Sequence, residues 1–257
     1  MYYSLINSMN RAVVSSYTAR TTAFATATGI TDTTILGALN TFDLGLISNS
    51  LDTKMKALYP LVGGTSSTHK YNFMDARDLD AAYRLSFSGG FTHSSNGVLP
   101  NGVNATGDTF LNTNTKLTGS SHSFGVYSRT ESLTGAYGTW DSGSNFLQQN
   151  FGSNFCSGNS SSNIIFYTPS PSKRLMLGSR TSTTLFTAYR DGVSLGTATG
   201  TFTNLPSVDF TFFSRGANLY NLNELAFAFL GDGLNSTEVT SFNTLVNNLQ
   251  TSLSRNV

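Results

Sequence analysis

Residues 222 to 253 constrain the fold more than any other stretch, because they hold a strand, a tight turn and a helix whose patterns do not overlap. From Asn223 to Leu230 the large residues Leu225, Phe227 and Phe229 alternate with Glu224, Ala226 and Ala228, a period of two that belongs to a strand. Gly231-Asp232-Gly233 breaks it. Asn235 or Ser236 can cap a helix beyond this turn, and Glu238 stands three residues after Asn235, where a carboxylate reaches back to a free amide. Val239, Phe242, Val246, Leu249 and Leu253 then recur three or four apart, with Thr240, Asn243, Asn247 and Gln250 between them. The spacing predicts an amphipathic helix laid against a sheet.

The aromatic residues indicate how the sheet is filled. Phe (19) and Tyr (11) dominate the 12% aromatic content of a 257-residue chain, so the buried layer is expected to be built from rings on strands. Charged residues are only 11% against about 25% in an average soluble domain. Ser, Thr and Asn make up roughly a third of the chain, so its solubility rests on hydroxyls and amides. With a net charge of +1 and no run of one sign, nucleic acid and anionic membranes are set aside as partners. No segment approaches the ~20 apolar residues of a membrane span, and no signal-peptide pattern opens the chain, which points to synthesis in a cytosol. Cys156 is the only cysteine, which excludes an internal disulfide.

Three regions are expected. Residues 1–28 read as an N-terminal arm: Tyr2, Tyr3, Leu5, Ile6 and Met9 are costly to leave in water and favour docking on a partner, while 21–29 is an Ala/Thr-rich connector. Residues 29–64 read as helical. Ile35, Leu39, Phe42 and Leu46 come after the N-cap candidates of 31–34, and Leu51, Met55 and Leu58 continue after Ser50 until Pro60. From residue 65 to 257 the period changes to two, with turn residues between short strands and a clear hairpin around Asp191-Gly192. Some ten short strands between terminal helices predict a mainly β fold, an antiparallel β-sandwich of jelly-roll type with a C-terminal helix.

The segments Thr53 to Val62, Asp75 to Arg84 and Gly89 to Gly97, with Ala228 to Leu234 at the end, resemble a family of phage virion proteins carrying a concanavalin A-like, laminin-G-like jelly roll. The resemblance spans roughly residues 30–257. It implies a non-enzymatic tail, baseplate or head-surface fibre protein in the virion, made in the host bacterial cytoplasm. Other virion proteins would be its partners, the arm its attachment, and a homo-oligomer its state. It also implies the option of a calcium ion at a loop rim.

The same superfamily includes glycoside hydrolases, which need two carboxyl groups flanking one bond. Glu131, Glu224 and Glu238 are the only glutamates, and none stands in the Glu-x-Asp-x-x-Glu spacing of the glucanase branch. A pair from different strands, such as Asp108 with Asp141, stays open. His69, His93 and His122 are scattered singly and Cys156 has no base in view, so neither a zinc site nor a thiol nucleophile is expected. Asp75, Asp78 and Asp80 lack the glycine and terminal glutamate of an EF-hand loop and read as turn residues and caps. Tyr127, Tyr137 and Trp140 beside a Ser/Thr/Asn-rich rim form the candidate glycan platform. The alternative function is therefore a lectin-like adhesin for host surface polysaccharide, and after it a glycan depolymerase.

Overall fold

A computed structural model describes residues 17–141, 146–151, 153–158, 161–167, 173–216 and 219–257. The proposed arm residues Tyr2, Tyr3, Leu5, Ile6 and Met9 lie outside the described residues. The chain opens with helices α1 (Ala19–Thr28) and α2 (Thr33–Ser48), then β1 (Met55–Tyr59) and a single turn, α3 (Ser66–His69). After these come β2 (Ser86–Ser88), β3 (Phe91–Ser94), β4 (Gly97–Pro100), β5 (Thr106–Asn112) and the turn α4 (Thr113–Lys116). Next are β6 (His122–Ser128), β7 (Ala136–Trp140), β8 (Phe146–Asn150), β9 (Asn154–Ser157) and β10 (Ile164–Phe166). The last group is β11 (Arg174–Ser182), β12 (Leu185–Arg190), β13 (Val193–Ala198), β14 (Asp209–Phe212), β15 (Ser214–Arg215), β16 (Leu219–Tyr220), β17 (Leu225–Gly231) and α5 (Ser236–Ser252).

Two sheets form the antiparallel sandwich that the alternating pattern predicts. One runs β13-β12-β11-β6-β17-β4-β3, with β1 also on β17, and the other runs β10-β9-β8-β7-β14-β5-β2, with β15 and β16 beside β7. The chain crosses between them after β1, β2, β4, β5, β6, β10, β13 and β16, which places β6 between β11 and β17 and β14 between β7 and β5. Phe124, Tyr137, Phe155, Phe186, Phe210 and Phe212 fill the space between the sheets. A second apolar layer lies outside the first sheet, where Tyr127, Leu177, Phe227 and Phe229 meet Phe42 of α2 and Phe242 and Val246 of α5. The helices therefore cover one outer face.

The local signals work as chemistry requires. Asn235 and Glu238 satisfy each other's free amides at the start of α5, at 2.8 and 3.0 Å. Asp32 caps α2 through the amides of Thr34 and Ile35. Arg190 pairs with Val193 across Asp191-Gly192, both at positive φ (50° and 80°), as a two-residue hairpin turn demands.

Three expectations are corrected. Residues 19–28 are a helix rather than a connector: Thr18 caps it, and Phe24 is buried against Phe73. Thr18 and Arg20 also hold the buried carboxylate of Asp43. Residues 55–59 are a strand, not a second helix, because Ala57 to Tyr59 are buried on both faces and pair with Ala228 to Leu230. The span 29–64 is thus part of the first sheet and its cover rather than a separate helical segment. In β17 a bulge between Leu225 and Phe227 turns Leu225 toward the inter-sheet core while Phe227 and Phe229 face the helices.

Candidate functional site

With helices over the first sheet, the outer face of the second is the sheet surface left for a partner among the described residues. Its strands place alternate residues there, opposite the core residues Tyr137, Leu147, Phe155, Ile165 and Phe210. Cross-strand pairing then lines up Ile164, Cys156, Gln148, Gly138, Thr211, Asp108 and Ser86 in one row across the whole sheet. A parallel row joins Phe166 to Asn154, Asn150 and Ala136. Six interstrand spacings of ~4.8 Å give such a row a length of roughly 29 Å. Cys156, Gly138 and Gln148 in its middle are buried, so the row meets solvent only at Ile164 on one side and from Thr211 to Ser86 on the other.

Most of this face can form hydrogen bonds. Arg215 Nη1 donates to Gln148 Oε1 at 2.8 Å, and Asn150 Nδ2 donates to Asn154 Oδ1 at 3.2 Å. The Thr211 hydroxyl lies 2.8 Å from the Gly138 carbonyl and 2.9 Å from that of Ser214. Burial lowers the pKa of Arg215. Asp209, on the same face beside Thr211, is held above the usual carboxylate range by burial first and by Asp108 second. At the β10 end Phe166 is 69% exposed, beside the two asparagine amides. An exposed ring flanked by amides is the arrangement a sugar ring stacks on.

The glycan platform expected from sequence is placed differently. Tyr137 is 0% exposed, with its ring between the sheets against Phe151, Phe210 and Phe212 and its hydroxyl on Gln149 Oε1 at 2.7 Å. It offers no face to a ligand. The Tyr127 ring is 1% exposed and packs beneath the helices on the opposite side of the molecule. The Trp140 side chain lies outside what is described. Phe166 escapes the sequence pattern because Ile164, Ile165 and Phe166 read as one apolar run, whereas only Ile165 points inward.

The acids are largely engaged. Glu238 caps α5 and pairs with Lys54 at 2.6 Å, and Glu224 pairs with Arg129 at 2.7 Å. Asp75 pairs with Arg77, Asp78 with Lys70 and Arg84, and Asp80 with Arg84, so the carboxylates considered for calcium already neutralise cations. Glu131 is exposed in a loop. Asp108 has Asp209 as a charged neighbour on the sheet, and one of its oxygens accepts the Phe110 amide at 2.9 Å.

Nor are the histidines all single. His69 and His93 meet with their Nδ1 atoms 3.0 Å apart, a separation two ligands of one metal could have. The Gly64 amide donates to His69 Nε2 at 3.2 Å, which leaves the ring proton on Nδ1 and turns the pair into a hydrogen bond rather than a metal clamp. Cys156 is buried, its thiol pushed up to about 12 by that burial, which makes it inert.

No family model matches this chain, and no curated protein matches it. Among solved structures it is similar to domain 4 of AbnA, a GH43 extracellular arabinanase from Geobacillus stearothermophilus, in complex with arabinotriose. That match has 13% identity and a TM-score of 0.47 over 74% of this chain and 98% of that one. Trypanosoma rangeli sialidase in complex with sialic acid is similar at 11% identity and a TM-score of 0.48, over 73% of this chain and 32% of that chain. The botulinum neurotoxin serotype G binding domain is similar at 14% identity and a TM-score of 0.46, over 74% of this chain and 50% of that chain. At such identities the likeness concerns the β-sandwich fold alone, and the chain spans half or less of the latter two proteins.

Proposed function

We propose that this chain is a non-enzymatic, lectin-like module that holds a surface polysaccharide at the Phe166 end of the outer face of its second sheet. One observation carries the reading: Phe166, 69% exposed, stands at the β10 end of the sheet face the described helices leave open, beside the amides of Asn154 and Asn150. The amides beside Phe166 match sugar hydroxyls without a charge to neutralise. The ion pairs that hold Glu224 and Glu238 support binding without cleavage. A glycan array of bacterial capsule and wall polysaccharides, read with wild type and Phe166→Ala, tests it. Binding to a polymer that drops roughly tenfold or more in the variant at unchanged melting temperature is expected, the order of one lost stacking platform. Failure of wild type to bind any polymer overturns the reading, and release of reducing ends by wild type overturns its non-enzymatic part.

The setting we propose is the surface of a phage particle, as the resemblance over residues 30–257 implies. Tyr2, Tyr3, Leu5, Ile6 and Met9 would be the anchor to other virion proteins. Gold-labelled antibody against the sandwich should decorate intact particles; labelling confined to the lysate supernatant would remove the virion from the proposal and leave the sugar-binding face untouched.

A further inference from the structure

On the opposite side of the molecule from the polar rows, the end of α5 closes over the start of β11 and leaves a crevice of about 180 Å³ lined by Tyr127, Arg174, Asn247, Thr251 and Asn256 with the backbone of Val257. We propose that this crevice is a second binding site, built for a single neutral sugar ring, and that it works independently of the sheet face.

Its charge decides the ligand class. Arg174 Nη1 pairs with Asp191 at 2.7 Å and its Nε donates to the Val257 carbonyl at 2.8 Å. The same aspartate accepts the Asn247 amide at 2.9 Å. The one cation lining the crevice is thus already balanced, so a carboxylate or phosphate gains little there. What is left is a dense set of neutral donors and acceptors. Tyr127 Oη accepts the Val257 amide at 3.3 Å and keeps its own proton to give. Asn247 spends one amide hydrogen on Asp191 and keeps the other and its carbonyl oxygen. Thr251 and Asn256 add an exposed hydroxyl and amide at the rim. Donor and acceptor on neighbouring walls are what adjacent hydroxyls of a sugar require, and the volume admits one ring rather than a chain.

Backbone geometry supports the assignment. Arg174 has φ +73°, a left-handed conformation that a long side chain adopts only when its surroundings enforce it. Here its pairing with Ser128 and the two guanidinium bonds hold it at the wall of the crevice. The Tyr127 hydroxyl, whose ring is core, becomes the fixed donor at its base.

The test is titration of isotope-labelled full-length protein with a panel of neutral monosaccharides, with sodium acetate and inorganic phosphate as anion controls, read through backbone and side-chain amide shifts. Saturable shifts confined to 174, 247, 251 and 256 are expected for at least one neutral sugar. Tyr127→Phe, which removes one hydroxyl and leaves the ring packed, should weaken that sugar by roughly tenfold, the order of one hydrogen bond. Phe166→Ala should leave it unchanged. Absence of saturable shifts across the panel, an anion binding more tightly than every sugar, or equal affinity in Tyr127→Phe each overturns the proposal.

Discussion

His69 donates its Nδ1 proton to His93 Nδ1 across 3.0 Å, and this bond ties the single-turn helix after β1 to the edge strand β3. The direction of the bond is set from outside the pair, by the Gly64 amide on His69 Nε2. His93 in turn lies edge-on to Phe87, and Phe91 is within ring-contact distance. Both rings must be neutral for the arrangement to exist, since a proton on His93 Nδ1 would face the proton on His69. Buried Arg255, which donates to the Pro60 and Leu61 carbonyls, adds a further positive charge nearby.

Acid should therefore loosen the fold before it reaches the carboxylates. Burial, then His93, then Arg255 lower His69 to about 3, and burial lowers both His93 and His122, the latter to about 4. The unfolded chain takes up these protons near the ordinary value of about 6.5, so it binds more protons than the folded chain below that pH. Stability is then fully present above about pH 7 and declines as pH falls from about 6.5 toward 4. Asp75 and Asp78, held low chiefly by hydrogen bonds from Arg77 and Lys70, lose their contribution only at more acid pH. Urea midpoints at pH 7.5, 6.0 and 5.0 check this; identical midpoints at all three would contradict it.

The parts of the fold legible in the sequence are those whose pattern is one-sided. The Asn235/Glu238 cap, the stripe of α5 and the Asp191-Gly192 turn are local devices, and each is where the sequence puts it. Strand β1 is hidden because Ala57, Leu58 and Tyr59 are buried on successive faces; Leu51, Met55 and Leu58 then mimic a helical repeat. Helix α1 is hidden because its bulk is slight. Phe24 supplies its one large buried ring, and much of its anchorage is tertiary, through Asp43 and Asn40. The outer face of the second sheet is illegible for a different reason. Ser86, Asp108, Gln148 and Thr211 come from four strands far apart in the chain, and only the register of the sheet aligns them.

Arg180 is a second place where the sequence carries no hint. It is fully buried, with Nε on Ser157 Oγ at 2.9 Å and its other nitrogens on Ser157 O, Asn163 Oδ1, Thr183 O and Gly200 O. Its guanidinium lies 5.5 Å from the ring centres of Phe186 and Phe202, and burial lowers it to about 10. Ser157 passes the network on to His122 Nε2 at 2.8 Å. Arg180→Ala removes the donors for three buried carbonyls at once and should cost on the order of 3–5 kcal/mol. Arg180→Lys, which keeps the charge but not the fork, should cost less. Denaturant unfolding of both variants measures this, and an alanine cost below about 1 kcal/mol would mean water satisfies the carbonyls equally well.

Truncations should separate anchoring from folding at residue 16, not 28. Removing residues 1–28 takes away Phe24, the Thr18 hydroxyl on Asp43 at 2.6 Å and the Arg20 ion pair, leaving a buried carboxylate exposed to its own desolvation. That deletion is expected to lower the melting temperature by several degrees. Removing residues 1–16 touches none of these groups and should leave both melting temperature and β-type circular dichroism unchanged while abolishing incorporation into particles. Incorporation of the 17–257 protein at wild-type level would rule out the arm as the anchor.

Two glycines predict opposite signs for the same substitution. Gly125 lies in β6 between β11 and β17, and a Cβ there would stand 2.5 Å from the Met176 carbonyl oxygen and 2.7 Å from a ring carbon of Phe229. Neither can retreat, because the carbonyl belongs to a paired strand and the ring is wedged against Phe242 at 4.7 Å. Gly125→Ala should destabilise by about 1–3 kcal/mol, the range of an overpacked core. Gly37 lies inside α2 with nothing within 4 Å of its would-be Cβ, so alanine there gains helix propensity and restricts the unfolded chain at no steric cost. Gly37→Ala should stabilise by roughly 0.5–1 kcal/mol. Melting temperatures of the two single variants and of the double variant settle both, and because the sites share no partner the double variant should show the sum.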